Sequence, residues 1–184
     1  MKAKNPWKKL GSTVKYENPW IRVREDQVLT PGGKPGIYGV VETHPAVGVL
    51  ALNSQNDIYL VGQYRYPINE YSWEIVEGAA HAGEPLEAAA LRELQEETGL
   101  QARTLVRLGS EISLSNCFTD ERAHLFLATD LTEGPPSPEE CEDLQVRKLP
   151  LAEAVQMVRT GELKDAMSVI GILLLQQWPR TLGN

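Results

Sequence analysis

The chain has 184 residues, 42% of them hydrophobic and 23% charged, with 25 acidic against 18 basic side chains and a formal net charge of −7. That composition fits one ordinary globular core with a small appendage. The acidic balance, with no basic run longer than Lys8-Lys9, excludes the electrostatic footprint of a nucleic-acid binder. The richest apolar stretch, 169–175, is far too short to cross a bilayer, and Cys117 and Cys141 cannot build a disulfide framework. The expectation is therefore a soluble cytoplasmic protein with no membrane partner.

Taken in chain order, 20–28 and 37–41 read as extended pieces joined by the Pro- and Gly-rich reversal 30–36, which predicts an N-terminal β-hairpin segment over 1–43. The apolar runs 46–52 and 58–64 flank turn-forming residues and read as two buried strands. A strand-like 73–77 ends at Gly78. Residues 85–98 take up a helical pattern, with proline at the first turn and Gly99 just past the end. Strands follow at 105–108, 123–128 and 144–149, the last after a Pro-rich loop at 134–138, and helices cover 151–159 and 163–178. Strands before, between and after helices predict an α/β or α+β sandwich over 44–184.

At about 100° per residue, Glu93, Glu96 and Glu97 share one face of the first helix, beside the face of Leu91 and Leu94. Like charges at these spacings cost roughly 0.2–0.5 kcal/mol per pair, so the triple is either a solvated acidic face, relieved by Arg92, or used to hold cations. Hard oxygen ligands on one helical face suit Mg²⁺, with Mn²⁺ as the alternative, rather than zinc or copper.

The frame around these glutamates is fixed: Gly78, Glu84, Arg92-Glu93-Leu94, Glu96-Glu97 and Gly99-Leu100, in GAAHAGEPLEAAALRELQEETGL. It is identified as a Nudix box with every specified position filled. The flanking QYRYP at 63–67, SWE at 72–74 and the tail 140–175 resemble the branch that hydrolyses ADP-ribose and other nucleoside diphosphate sugars. The resemblance implies a Nudix α/β/α sandwich with a mixed sheet behind a small antiparallel N-terminal β appendage. It also implies Mg²⁺-dependent cleavage of the pyrophosphate bond of a nucleotide sugar, ADP-ribose or GDP-mannose in type, to a nucleoside monophosphate and a sugar phosphate.

By the same resemblance, Glu93 and Glu97 bridge the metal with Glu96 in support, and the backbone carbonyl of Glu77 adds a ligand. Arg92 and Glu84 hold the loop–helix–loop unit and orient the glutamates. A base is expected from the acidic loop 139–143, with Glu140 in that role and Glu142 as a further ligand; a solvated loop is the competing reading. Glu121 is a third acid of interest, competing with an exposed turn. Arg65 is the natural phosphate or ribose contact, against a plain ion pair. Among Trp20, Tyr66 and Trp73, one could stack on a base, although packing explains such aromatics more often. Glu74 could accept from sugar hydroxyls. His44 and His81 are the histidines expected closest to the proposed site, and His81 occupies an unspecified box position.

Two departures stand out. Leu114-Ser115-Asn116-Cys117-Phe118 lacks the Ser-Pro-Gly turn found in dedicated ADP-ribose pyrophosphatases, and Glu77-Gly78-Ala79-Ala80 replaces the frequent paired glycines. Exclusive ADP-ribose preference therefore does not follow. An N-terminal hairpin cannot bury both its faces alone, so a homodimer is expected. The competing functions are a nucleoside triphosphate pyrophosphatase of the same fold and a non-catalytic nucleotide-sugar sensor.

Overall fold

A computed structural model describes residues 4–137 and 143–178, which form two compact units.

The first unit comprises 4–44 and 113–122. Three antiparallel strands make its sheet, β1 (Lys8–Glu17), β2 (Ile21–Leu29) and β3 (Pro35–Thr43), in that order. The expected hairpin is β2–β3, paired without a break from Ile21↔Thr43 to Leu29↔Pro35. Strand β1 is an addition, paired to β2 through two register shifts. Its sequence KKLGSTVKYE is exposed nearly throughout, so no period-2 apolar signal marks it. Residues 113–122, which the sequence reading placed with the following domain, join here through main-chain bonds: Val41 N–H to Phe118 O (2.8 Å) and Asp120 N–H to Val41 O (3.2 Å). Within the sheet, the buried Asp26 accepts from Ser12 Oγ (2.5 Å) and from Arg24, with Lys9 Nζ 3.1 Å away.

The second unit comprises 45–112 and 123–178. Its strands are β4 (Ala46–Leu52), β5 (Asp57–Arg65), β6 (Glu70–Glu74), β7 (Val76–Ala79), β8 (Leu100–Arg107), the short β9 (Ile112–Ser113) at the unit boundary, β10 (Arg122–Glu133) and β11 (Gln145–Pro150). The sheet runs β11-β5-β4-β10-β8, with β6 added to β5 and β7 to β4. It is mixed: β4 and β10 are parallel, whereas β10–β8, β11–β5, β5–β4, β5–β6 and β4–β7 are antiparallel.

Three helices complete the unit, α1 (Leu86–Thr98), α2 (Leu151–Thr160) and α3 (Ala166–Gln177). Strand β4 shows how they are layered. Val47, Val49 and Ala51 join a buried cluster with Ala89, Ala90 and Leu94 of α1, while the intervening Leu50 reaches Gly171 of α3. Successive side chains of a strand leave on opposite faces, so this sheet carries helices on both. Among the described residues, no helix is long and apolar enough to cross a membrane.

The predicted strand at 73–77 is two strands. Glu74 pairs with Val61 of β5, and Val76 pairs with Val49 of β4. The chain changes partner strands at Ile75, a tertiary event with no local signature.

Candidate active site

Helix α1 begins after Pro85 and ends at Gly99, whose φ of 73° is left-handed and whose N–H caps Gln95 O. A Cβ at Gly99 would also collide with the Gly134 carbonyl, so glycine is needed both for conformation and for close approach. The loop 134–137 lies along this end: Gly134 N–H donates to Gly99 O (2.8 Å) and Ser137 N–H to Glu96 O (3.0 Å). Glu140 and Glu142 follow immediately and lie outside the described residues.

Arg92 is the hub of the helix face. Its Nε and Nη2 each donate to one oxygen of Glu84 (3.0 Å each), its Nη1 to Glu93 Oε1 (2.8 Å) and Glu96 Oε2 (2.9 Å), and its Nη2 also to Ala79 O (2.9 Å). Glu84 in turn accepts from His81 N–H (2.8 Å). One guanidinium thus ties the loop before the helix to two of the three face carboxylates, using the fork geometry that a lysine could not reproduce. Hydrogen bonds from Arg92 and from the His81 amide hold the Glu84 carboxyl down at about 2. The Arg92 guanidinium is pushed up, first by Glu84 and then by Glu93 and Glu96. The strain of a like-charged face is relieved by a cation of the protein's own.

Glu97 is 3% exposed, and its Oε2 lies 3.4 Å from the Glu77 N–H. Gly78 packs directly on Glu93: a Cβ there would coincide with the Glu93 carboxyl group. The box glycine at 78 thus has a specific steric reason to lack a side chain.

Among the described residues, no three His, Cys, Asp or Glu side chains converge into a cage for a metal ion. Glu93 and Glu96 instead meet at Arg92. The donors nonetheless fit Mg²⁺, which is characteristically held by one or two carboxylates, with water and substrate phosphates completing its shell. A carboxylate can serve an arginine with one oxygen and a cation with the other.

The candidate substrate residues fall in several places. Arg65 and Glu74, both in the second unit, are paired with each other, through Nε to both carboxylate oxygens (3.0 and 3.1 Å) and through Nη2. Glu74 is buried to 3% exposure. The pair lines a cleft of about 290 Å³ with Ile68, Tyr71, Ser72 and Asp165. Tyr66 is 91% exposed. Trp73 is packed, edge-on to Tyr71 and under Arg147. Trp20, 72% exposed, and Glu121 belong to the first unit. Glu121 sits in a turn whose amide is bonded to Thr119 Oγ1 (3.1 Å).

A polar cluster that the sequence reading did not foresee lies behind β7. The half-buried Glu77 accepts from Ser168 Oγ (2.9 Å) through its carboxyl, which is also hydrogen-bonded to Asp165. Burial pushes Glu77 well up, and the neighbouring Asp165 adds to this. For Asp165, burial works upward, but hydrogen bonds from Glu77 and Ser168 outweigh it and the carboxyl lies below its ordinary value. An Asp three residues before a Ser was the available signal, since Asp165 accepts from the Ser168 amide (2.8 Å) as the N-cap of α3. The predicted start at 163 hid it inside the helix.

This chain belongs to the Nudix family of hydrolases: the NUDIX domain matches residues 42–168, in the fold that carries the box. The preceding residues 7–41 match the nucleoside diphosphate sugar hydrolase N-terminal domain. The chain is 34% identical over 174 residues to an ADP-ribose pyrophosphatase of Mycobacterium tuberculosis, covering 93% of this chain and 84% of that protein. It is 35% identical over 153 residues to an ADP-ribose pyrophosphatase of Bacillus subtilis, covering 82% of each. It is also 34% identical over 158 residues to a methanol dehydrogenase activator of Bacillus methanolicus, covering 85% of each. A crystal structure of an ADP compounds hydrolase shares the fold at a TM-score of 0.84 and 22% identity, covering 97% of this chain and 96% of that one.

Proposed function

We propose that the protein is a Mg²⁺-dependent pyrophosphatase of nucleoside diphosphate sugars, with ADP-ribose the first substrate to test and GDP-mannose the second. The observation that carries this is the intact box, with Arg92 linking Glu84, Glu93 and Glu96 beside the buried Glu97. The two ADP-ribose pyrophosphatases at 34% and 35% identity support the substrate class.

In this reading Glu93, Glu96, Glu97 and the Glu77 carbonyl would hold Mg²⁺, or Mn²⁺ in its place, which would supply charge to offset the diphosphate and a lowered pKa for an attacking water. Arg92 and Glu84 keep the carboxylates aimed, so that little reorganisation is needed when the ligand arrives. Glu140 takes the water's proton, with Glu142 as a further ligand and Glu121 ranked behind both. Arg65 grips a phosphate oxygen with the guanidinium N–H groups that Glu74 leaves unused on Nη1 and Nη2. Glu74 itself, Tyr66 and Trp20 are the remaining proposed contacts to sugar or base. The protein works in the cytoplasm on small nucleotide sugars, without nucleic acid or membrane, as a homodimer.

The relative that activates a methanol dehydrogenase favours a second reading, a nucleotide-sugar binder that acts on another protein. The test is turnover of ADP-ribose, GDP-mannose, UDP-glucose, NADH and dGTP with Mg²⁺. Nucleoside monophosphate plus sugar phosphate from a sugar nucleotide is the expected result. Release from dGTP alone would move the protein to the triphosphate pyrophosphatases, and metal-dependent binding without turnover would favour the sensor.

A further inference from the structure

The backbone of β7 is where the box meets the rest of the fold. Glu77 N–H faces Glu97, Gly78 abuts Glu93, and Ala79 O receives Arg92. Whatever fixes these three residues therefore fixes the three box side chains they touch.

Ordinary sheet pairing does not suffice at the start of this stretch. Because the chain leaves β5 after Glu74 and joins β4 at Val76, the Ile75 amide falls between two ladders, and a buried amide without an acceptor is costly. Ser168 Oγ supplies that acceptor (2.9 Å), from 93 residues away in sequence. The same hydroxyl donates to the Glu77 carboxyl (2.9 Å), and the Ser168 amide is itself fixed on Asp165 (2.8 Å). Ser168 is fully buried. What the polar cluster provides is location.

We infer that the first turn of α3, through Ser168 and Asp165, is a positioning element for the metal-binding face, holding Glu77 and hence the main chain on which Glu97, Glu93 and Arg92 are set. This inference rests on the proposed metal role of the box. Neither residue belongs to the proposed metal-binding set, although Asp165 also lines the cleft of Arg65 and Glu74. Their effect is on how well the face is assembled, as supporting partners of metal ligands generally act.

The test is Mn²⁺ binding, followed by electron paramagnetic resonance on the full chain without substrate, beside thermal unfolding. Ser168→Ala is expected to weaken Mn²⁺ by about 10- to 100-fold, and Asp165→Asn by about 3-fold or more. Ile172→Val, a change in the buried part of the same helix, is expected to lower Tm while leaving Mn²⁺ affinity within about twofold, because it removes packing and no ligand support. If Ser168→Ala does not fold, Asp165→Asn decides, since asparagine retains the helix cap. Unchanged Mn²⁺ affinity in the folded variants, or equal weakening in Ile172→Val, would overturn the positioning role and leave the proposed function standing. A wild-type protein that binds no Mn²⁺ would overturn both.

Discussion

Glycine 78 shows how much of the site is set by a single missing side chain. The position has no left-handed φ to explain it; the space of its Cβ is taken by the Glu93 carboxyl group. Gly78→Ala is therefore expected to fold, since the clash is with the end of a side chain, but to displace Glu93 from Arg92. A misplacement of about 1 Å at a catalytic group costs roughly 100-fold in rate, and kcat for the best substrate should fall by about that much with little change in Tm. Activity within about twofold of wild type would show that Glu93 has no fixed post to lose. The box residues were legible in the sequence because their spacing is local and helical. The ion pair of Arg65 with Glu74 was not, although both had been singled out. That pairing depends on the β5–β6 hairpin, which brings together residues nine apart.

At the scale of elements, α1 and β4 follow their sequence signals closely, α1 beginning one residue after the expected start and ending where Gly99 requires, whereas β8 begins at Leu100, five residues before the expected strand at 105–108. The failures are tertiary. Strand β1 carries almost no apolar pattern because nearly every residue is exposed, and the break at Ile75 exists only because two different strands compete for one segment. The N-terminal sheet makes its own prediction. The Arg24 guanidinium, helped by Ser12 and Lys9 and opposed by burial, holds the Asp26 carboxyl at about 2 against an ordinary 3.8. The unfolded chain then takes up this proton more readily than the folded one. Stability from Asp26 is full above about pH 4 and is lost as pH falls toward 2. Wild type should be more stable than Asp26→Asn at pH 7, and the gap in urea midpoint should close between pH 4 and pH 2. A gap that stays constant over that range would contradict the assignment.

For the whole molecule, the sequence foretold the class of fold with its antiparallel sheet at the N-terminus, but not that residues 113–122 join the unit of that sheet. This is a contact between distant segments, and composition carries no trace of it. The first unit exposes the large apolar side chains of Leu10, Tyr16, Trp20 and Ile37, residue types that oligomer interfaces cover. The proposed homodimer predicts a mass of twice the 20.4 kDa chain by light scattering, and a charge at Ile37 should release monomers; a single-chain mass at every concentration would remove the dimer.

If the acidic face of α1 carries metal-dependent hydrolysis, Glu97→Gln should abolish it. The substitution keeps the size of a buried side chain and removes its charge. With saturating Mg²⁺ and the preferred nucleotide sugar, the variant should fold like wild type and lose about 10²- to 10⁴-fold in kcat. A folded variant that retained activity within about threefold of wild type would contradict the account, since the face would then be an acidic surface and no more.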